Sequence, residues 1–135
     1  MSKYIPKELE GFILPFNWDV KKVWELSALI EDVELSEFEF MFDLPFWSSR
    51  PNAGMLFDIS PNEALENLNC YSHQKKRVEK ADIQYPMDFI FENGTYYILD
   101  GLHRLVRHKL MGNKIVEVRR HKLEIRTKIQ DNKAL

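Results

Sequence analysis

The stretch from Met87 to Arg120 constrains the fold of this chain more than any other. Met87 to Phe91 and Thr95 to Leu99 are apolar runs of strand length on either side of Glu92-Asn93-Gly94. An Asn-Gly pair between two such runs specifies a tight hairpin, because both turn positions want positive φ. Asp100-Gly101 then breaks the second strand. A helix is expected from Gly101 to Met111, ended by Gly112-Asn113, since a glycine just past the last turn is a common helix stop. From Lys114 to Arg120 the period returns to two, through Ile115, Val116 and Val118. Hairpin, tight turn, helix and strand in that order describe an α+β unit, a small mixed sheet flanked by helices.

The upstream half reads less sharply. Asp19 can cap a helix running to Asp32, with Val20, Val23, Trp24, Leu26, Leu29 and Ile30 as its apolar face. Glu34 to Asp43 alternates Phe38, Phe40 and Phe42 with Glu37, Glu39 and Asp43, the pattern of a half-buried strand. Its aromatic stripe reads as core in preference to a ligand platform. Ser48 to Gly54 has loop chemistry. Ser60-Pro61-Asn62-Glu63 opens a helix to Asn69 with a capping box. A second helix is expected from Ser72 to Ala81, ending before Tyr85-Pro86 because the residue preceding proline avoids the α region. Leu123 to Ile129 reads as a further short strand.

Composition excludes several classes. A chain of 135 residues supports one domain over 1–135. A single cysteine, Cys70, cannot close an internal disulfide. No apolar run approaches the roughly 20 residues needed to span a bilayer, and the start carries no secretory h-region, so a cytoplasmic protein is expected. Residues 1–69 hold 5 basic and 13 acidic side chains, a net of −8, whereas residues 70–135 hold 14 and 8, a net of +6. The acidic half disfavours a general nucleic-acid binder, while the basic half suits one anionic ligand. Mutual attraction of the two halves accounts for the asymmetry equally well.

The chemistry concentrates at Asp100-Gly101-Leu102-His103-Arg104. Leu102, Leu105, Val106 and Leu110 form the buried stripe of the helix, which turns His103, Arg104, Arg107 and His108 outward or into a cleft. Basic groups in a first helical turn oppose the helix dipole. Their placement makes sense if free backbone N–H groups, the dipole and the two side chains converge on a phosphate. Gly101 would let the backbone approach it, and Asp100 would cap the helix or hold Mg²⁺. A plain capped helix with a solvated basic face is the structural alternative. His73 and Arg77, four apart on one helix, add candidate anion contacts, as does Arg107. His103, Asp100 and Asp82 are the catalytic candidates, with Asp88 and Glu63 as further possible bases. No Cys/His metal pattern, Walker A loop, dinucleotide glycine motif or nucleophile elbow is present.

Asp-Gly-x-His-Arg at a strand-to-helix turn resembles the phosphate-binding motif of the ParB/sulfiredoxin superfamily, which includes chromosome-partitioning ParB proteins, sulfiredoxins and free-serine kinases. The string from His73 through Arg77, Ala81-Asp82 and Tyr85-Pro86 to Asp100-Gly101-Leu102-His103-Arg104 is similar to small bacterial ParB-like proteins without assigned function. The resemblance spans residues 34–120. It implies a ParB/sulfiredoxin-like fold and a nucleotide or small phosphorylated molecule, such as ATP with Mg²⁺, held by Gly101, His103 and Arg104. Leu102 stands where sulfiredoxins carry their cysteine and where the serine kinases carry a second histidine, so neither activity carries over. The chain also lacks the ParB DNA-binding helices. The enzymatic expectation is a small-molecule phosphotransferase or nucleotide hydrolase. Its rival is a nucleotide-sensing or partner-binding module without turnover.

Overall fold

The computed structural model describes residues 6–51, 56–67 and 69–131. The expected loop residues Asn52, Ala53 and Gly54 lie outside them. In chain order the regular elements are α1 (Val20–Trp24), β1 (Ile30–Glu34), a 3-10 helix (Leu35–Asp43), α2 (Pro61–Glu66), α3 (Ser72–Lys80), β2 (Met87–Glu92), β3 (Thr95–Asp100), α4 (Leu102–Leu110), β4 (Ile115–His121) and α5 (Arg126–Ile129). Short 3-10 turns at Lys7–Leu9 and Leu123–Ile125 complete the set.

The strands form one mixed sheet in the order β1-β4-β2-β3, so the fold is α+β with helices flanking the sheet. The β2–β3 hairpin turns on Asn93 and Gly94, at φ 49° and 77°, the conformation that Asn-Gly supplies at little cost. The tight turn makes β2 and β3 antiparallel, and α4 carries the chain back over the sheet so that β4 pairs parallel to β2. β1 closes the far edge antiparallel to β4.

Because strand side chains alternate, the sheet builds a core on each face. On one, Met87, Phe89, Tyr96, Val116 and Val118 pack with Leu105 and Val106 of α4, Val78 of α3 and Ala64 of α2. Phe38 of the 3-10 helix stacks on Phe89 there, with ring centroids 4.5 Å apart. On the other face, Ile90 and Leu99 pack with Val23, Ile129, Leu14 and Phe16. Among the described residues no helix is long and apolar enough to cross a membrane.

Three segments depart from the sequence expectations. The Glu34–Asp43 strand is a 3-10 helix from Leu35: Leu35, Phe38 and Met41 recur every third residue and are buried, and this period wins over the alternation of the phenylalanines. The helix expected to reach Asp32 stops at Trp24. Asp19 caps it as expected, its Oδ1 accepting from Lys21 N–H at 2.9 Å. Beyond it, Arg119 donates to the carbonyls of Leu26 at 2.6 Å and Val23 at 3.1 Å, which ties off the helix end and frees Ile30–Glu34 to pair with β4. The strand expected over Leu123–Ile129 is a 3-10 turn followed by α5, with Ile129 buried in the second core. Elsewhere α2 starts with the full capping box between Ser60 and Glu63, and α3 ends one residue before Ala81.

Candidate functional site

β3 delivers Asp100 to the end of the sheet, and Gly101 turns the chain into α4 at φ 109°. Only glycine adopts that conformation readily. A Cβ there would also lie 2.7 Å from Met87 Cγ and 3.3 Å from Met87 Cα. The close approach that the glycine permits is therefore made by Met87. No side chain caps α4, so its first-turn N–H groups have no side-chain acceptor.

The two basic residues of that turn are engaged inside the protein. Arg104 Nη2 pairs with Asp100 Oδ2 at 3.1 Å, and its Nη1 donates to the Pro86 carbonyl at 2.6 Å. Asp100 Oδ2 also accepts from Trp24 Nε1 at 2.7 Å. Asp100 is thus not the helix cap. The salt bridge to Arg104 offsets the charge that this arginine brings to the positive end of the helix.

His103 points into the molecule, stacked on Trp47 at 4.4 Å between ring centroids and 10° between planes. Its Nε2 donates to Gln74 Oε1 at 2.7 Å, and Gln74 Nε2 donates to the Ser48 carbonyl at 3.0 Å. Burial first, then the nearby Arg77 and His73, lower the His103 pKa to about 3. At neutral pH the ring is uncharged, with its proton on Nε2 and a lone pair on Nδ1. A ring that is neutral near pH 7 is not a cationic partner for a phosphate, although it keeps its hydrogen-bonding nitrogens.

A cavity of about 680 Å³ opens over this turn. Its lining combines Gly101, His103 and Arg104 with Arg77, Lys80 and Asp82, and with the aromatic side chains of Phe12, Trp18, Phe46, Trp47 and Phe57. Trp47 is buried, and its Nε1–H finds no acceptor among the described residues. Arg77 and Lys80 make no ion pair or hydrogen bond among the described residues, whereas the arginine at 104 is spoken for. Asp82 accepts from Gln84 N–H and Nε2, which holds its carboxyl below the ordinary aspartate range and makes it a weaker base.

The remaining candidates lie elsewhere. Arg107 donates to the carbonyls of Glu79 at 2.6 Å and Ala81 at 2.8 Å, closing the C-terminal end of α3, and does not itself line the cavity. His73 Nε2 donates to the Ser48 carbonyl at 2.9 Å. Glu63 is committed to the α2 capping box. Asp88 sits within hydrogen-bond distance of Arg119 and His121. His108 is buried, not outward; its Nδ1 accepts from Asn113, and burial with Arg104 nearby lowers its pKa. Leu110, expected in the buried stripe, is exposed. Among the described residues no three His, Cys, Asp or Glu side chains gather as a metal cage.

No family model matches the sequence, and neither does any curated protein. Among solved structures, the crystal structure of sulfiredoxin from Arabidopsis thaliana is similar at 22% identity and a TM-score of 0.37, over 70% of this chain and 85% of that one. The parts the sequence did not single out as site residues are Lys80 and the aromatic rings of the lining. Leu44-Pro45-Phe46-Trp47 carried the signal, a dense aromatic pair at a break in structure.

Proposed function

We propose that the cavity at the start of α4 binds a nucleotide or a small phosphorylated molecule in the cytoplasm. The observation that carries the reading is one cavity joining an uncapped helix start, two cations without a side-chain partner among the described residues, and several aromatic rings. The phosphate would lie against the first-turn N–H groups after Gly101, where the helix dipole favours an anion. Arg77 and Lys80 would neutralise it from α3. A base or other flat ring would stack on the aromatic rings, where each contact adds about 0.5–1.5 kcal/mol beyond simple burial. Arg104 would orient the turn through Asp100 and offer its remaining N–H groups. Mg²⁺ would arrive with a nucleotide and be touched by Asp100.

Binding without turnover is the better-supported form. The neutral ring of His103 and the weakened base Asp82 are poor proton acceptors near pH 7. A phosphotransferase or hydrolase would depend on Asp100, whose Oδ1 carries no hydrogen bond among the described residues. Thermal melts with ATP, ADP, CTP and inorganic phosphate, with and without Mg²⁺, test the reading. A ligand at about 100 times its Kd raises stability by roughly 2.7 kcal/mol. The double variant Arg77→Ala/Lys80→Ala should lose that gain while keeping the unliganded melting temperature. Absence of any shift with all four compounds would refute the site. A turnover assay on whichever compound binds separates the sensor from the enzyme.

A further inference from the structure

Across the Asp100–Arg104 pair lies a second cavity of about 590 Å³, on the side of α1 and β1. Tyr85, Asp100 and Arg104 line both cavities and so form the partition between them. The polar part of the second is Asp88, Asp100, Arg104 and Arg119. Its apolar part includes Trp24, Ile30 and Tyr85, which are 58%, 54% and 59% exposed despite their size.

The hydrogen bonds leave this polar patch unfinished. Asp88, only 3% exposed, receives Arg119 Nε at 2.7 Å and His121 Nε2 at 2.9 Å, both on Oδ1. Asp100 receives Trp24 and Arg104 on Oδ2 alone. One oxygen of each carboxylate therefore carries no bond among the described residues. The guanidiniums are also partly used: Arg119 donates one N–H from each Nη to Leu26 and Val23, and Arg104 Nη2 gives one to Asp100. Each of these nitrogens has a second N–H. Spare acceptors and spare donors thus share one cavity whose two carboxylates and two guanidiniums cancel in formal charge. An incoming anion would meet the carboxylates, and an incoming cation the guanidiniums. A hydroxyl both donates and accepts without charge, and so satisfies both kinds of partner.

We propose that this second cavity binds a neutral polyhydroxylated small molecule, a sugar or cyclitol. Its hydroxyls bond the free oxygens of Asp88 and Asp100 and the remaining N–H groups of Arg104 and Arg119, and its C–H face lies on Trp24. The site shares Asp100 and Arg104 with the first cavity but draws on neither Arg77, Lys80 nor the start of α4, so its failure leaves the phosphate reading standing.

The test is a titration of the full chain with myo-inositol and with methyl glucoside, read by the Trp24 indole N–H resonance, assigned from Trp24→Phe. Ethylammonium chloride and sodium acetate serve as charged probes at matched ionic strength. The expected result is a saturable shift with a polyol at up to about 100 mM, where a Kd on the order of 10 mM is visible. Ala28→Phe, which fills the cavity without touching its charges, should weaken that binding at least about tenfold, a loss of about 1.4 kcal/mol. Trp24→Ala, on an exposed side chain, should weaken it too, read through the Arg104 and Arg119 Nε–H signals. The proposal is overturned if neither polyol gives a saturable shift, if Ala28→Phe binds as the parent does, or if a charged probe saturates the site while the polyols do not.

Discussion

Replacing His103 with phenylalanine should flatten the acid side of the stability profile. In the unfolded chain the ring titrates near 6.5; in the fold, burial and the neighbouring Arg77 and His73 bring it to about 3. Above 6.5 both states are neutral and stability from this group is fully present. As pH falls below 6.5 the unfolded chain takes up a proton that the folded protein refuses. Stability then drops with a limiting slope of about 1.4 kcal/mol per pH unit, until the pH approaches the folded value. The carboxylates with lowered pKa, Asp82 and Glu31, act only below their ordinary values of 3.8 and 4.5. The interval from about 4.5 to 6.5 therefore isolates histidine, and one proton over it is worth up to about 2.5 kcal/mol. His103→Phe keeps a ring over Trp47 and loses the bond to Gln74, at a cost near neutral pH of about 1 kcal/mol. Urea unfolding at several pH values measures both slopes, and their difference belongs to His103, since His108 titrates in both proteins. Parallel slopes, or an NMR titration in which His103 charges near 6.5, would refute the account of a partly buried neutral ring.

Two further outcomes follow from the same turn. Gly101→Ala meets both an unfavourable φ and Met87 at 2.7 Å, so it should cost more than about 1 kcal/mol in urea unfolding, with or without ligand. Arg104→Ala and Arg107→Ala each remove hydrogen bonds to backbone carbonyls, so both should lower stability, by about 1.5–3 kcal/mol. Of the two, Arg104→Ala alone should also weaken phosphate binding, because Arg107 lies outside the cavity.

What the sequence made legible was chemistry settled within a few residues. Asn93-Gly94 needs two positive φ values, Ser60 and Glu63 satisfy each other's backbone groups, and Gly101 must turn a strand into a helix. Those features appear where they were expected. Leu35–Asp43 carried two periods at once, and the choice fell to burial of Leu35 and Met41 against a sheet the segment itself does not encode. The end of α1 depends on Arg119, far along the chain, reaching the carbonyls of Val23 and Leu26. The same holds at the site. Asp100, Gly101, His103 and Arg104 do meet, and Asp100 and Arg104 at i, i+4 spacing make a readable ion pair. His103 does not carry the charge its position implied, because burial, then the nearby Arg77 and His73, disfavour it, and the segments that cover the ring lie far along the chain. The electrostatic conflict that pointed to a phosphate is resolved within the protein. The case for an anion therefore moves to Arg77, Lys80 and the uncapped helix start.

That case is tested most directly by following the backbone amides during titration with ATP and with inorganic tripolyphosphate. A phosphate seated at the start of α4 should move the N–H signals of Leu102 and His103 most, with Arg77 and Lys80 next. Arg77→Ala/Lys80→Ala should weaken that response by about tenfold or more, as expected for losing charge-assisted contacts of about 1.5–3 kcal/mol. Saturable shifts centred elsewhere in the chain, with Leu102 and His103 unmoved, would contradict the account.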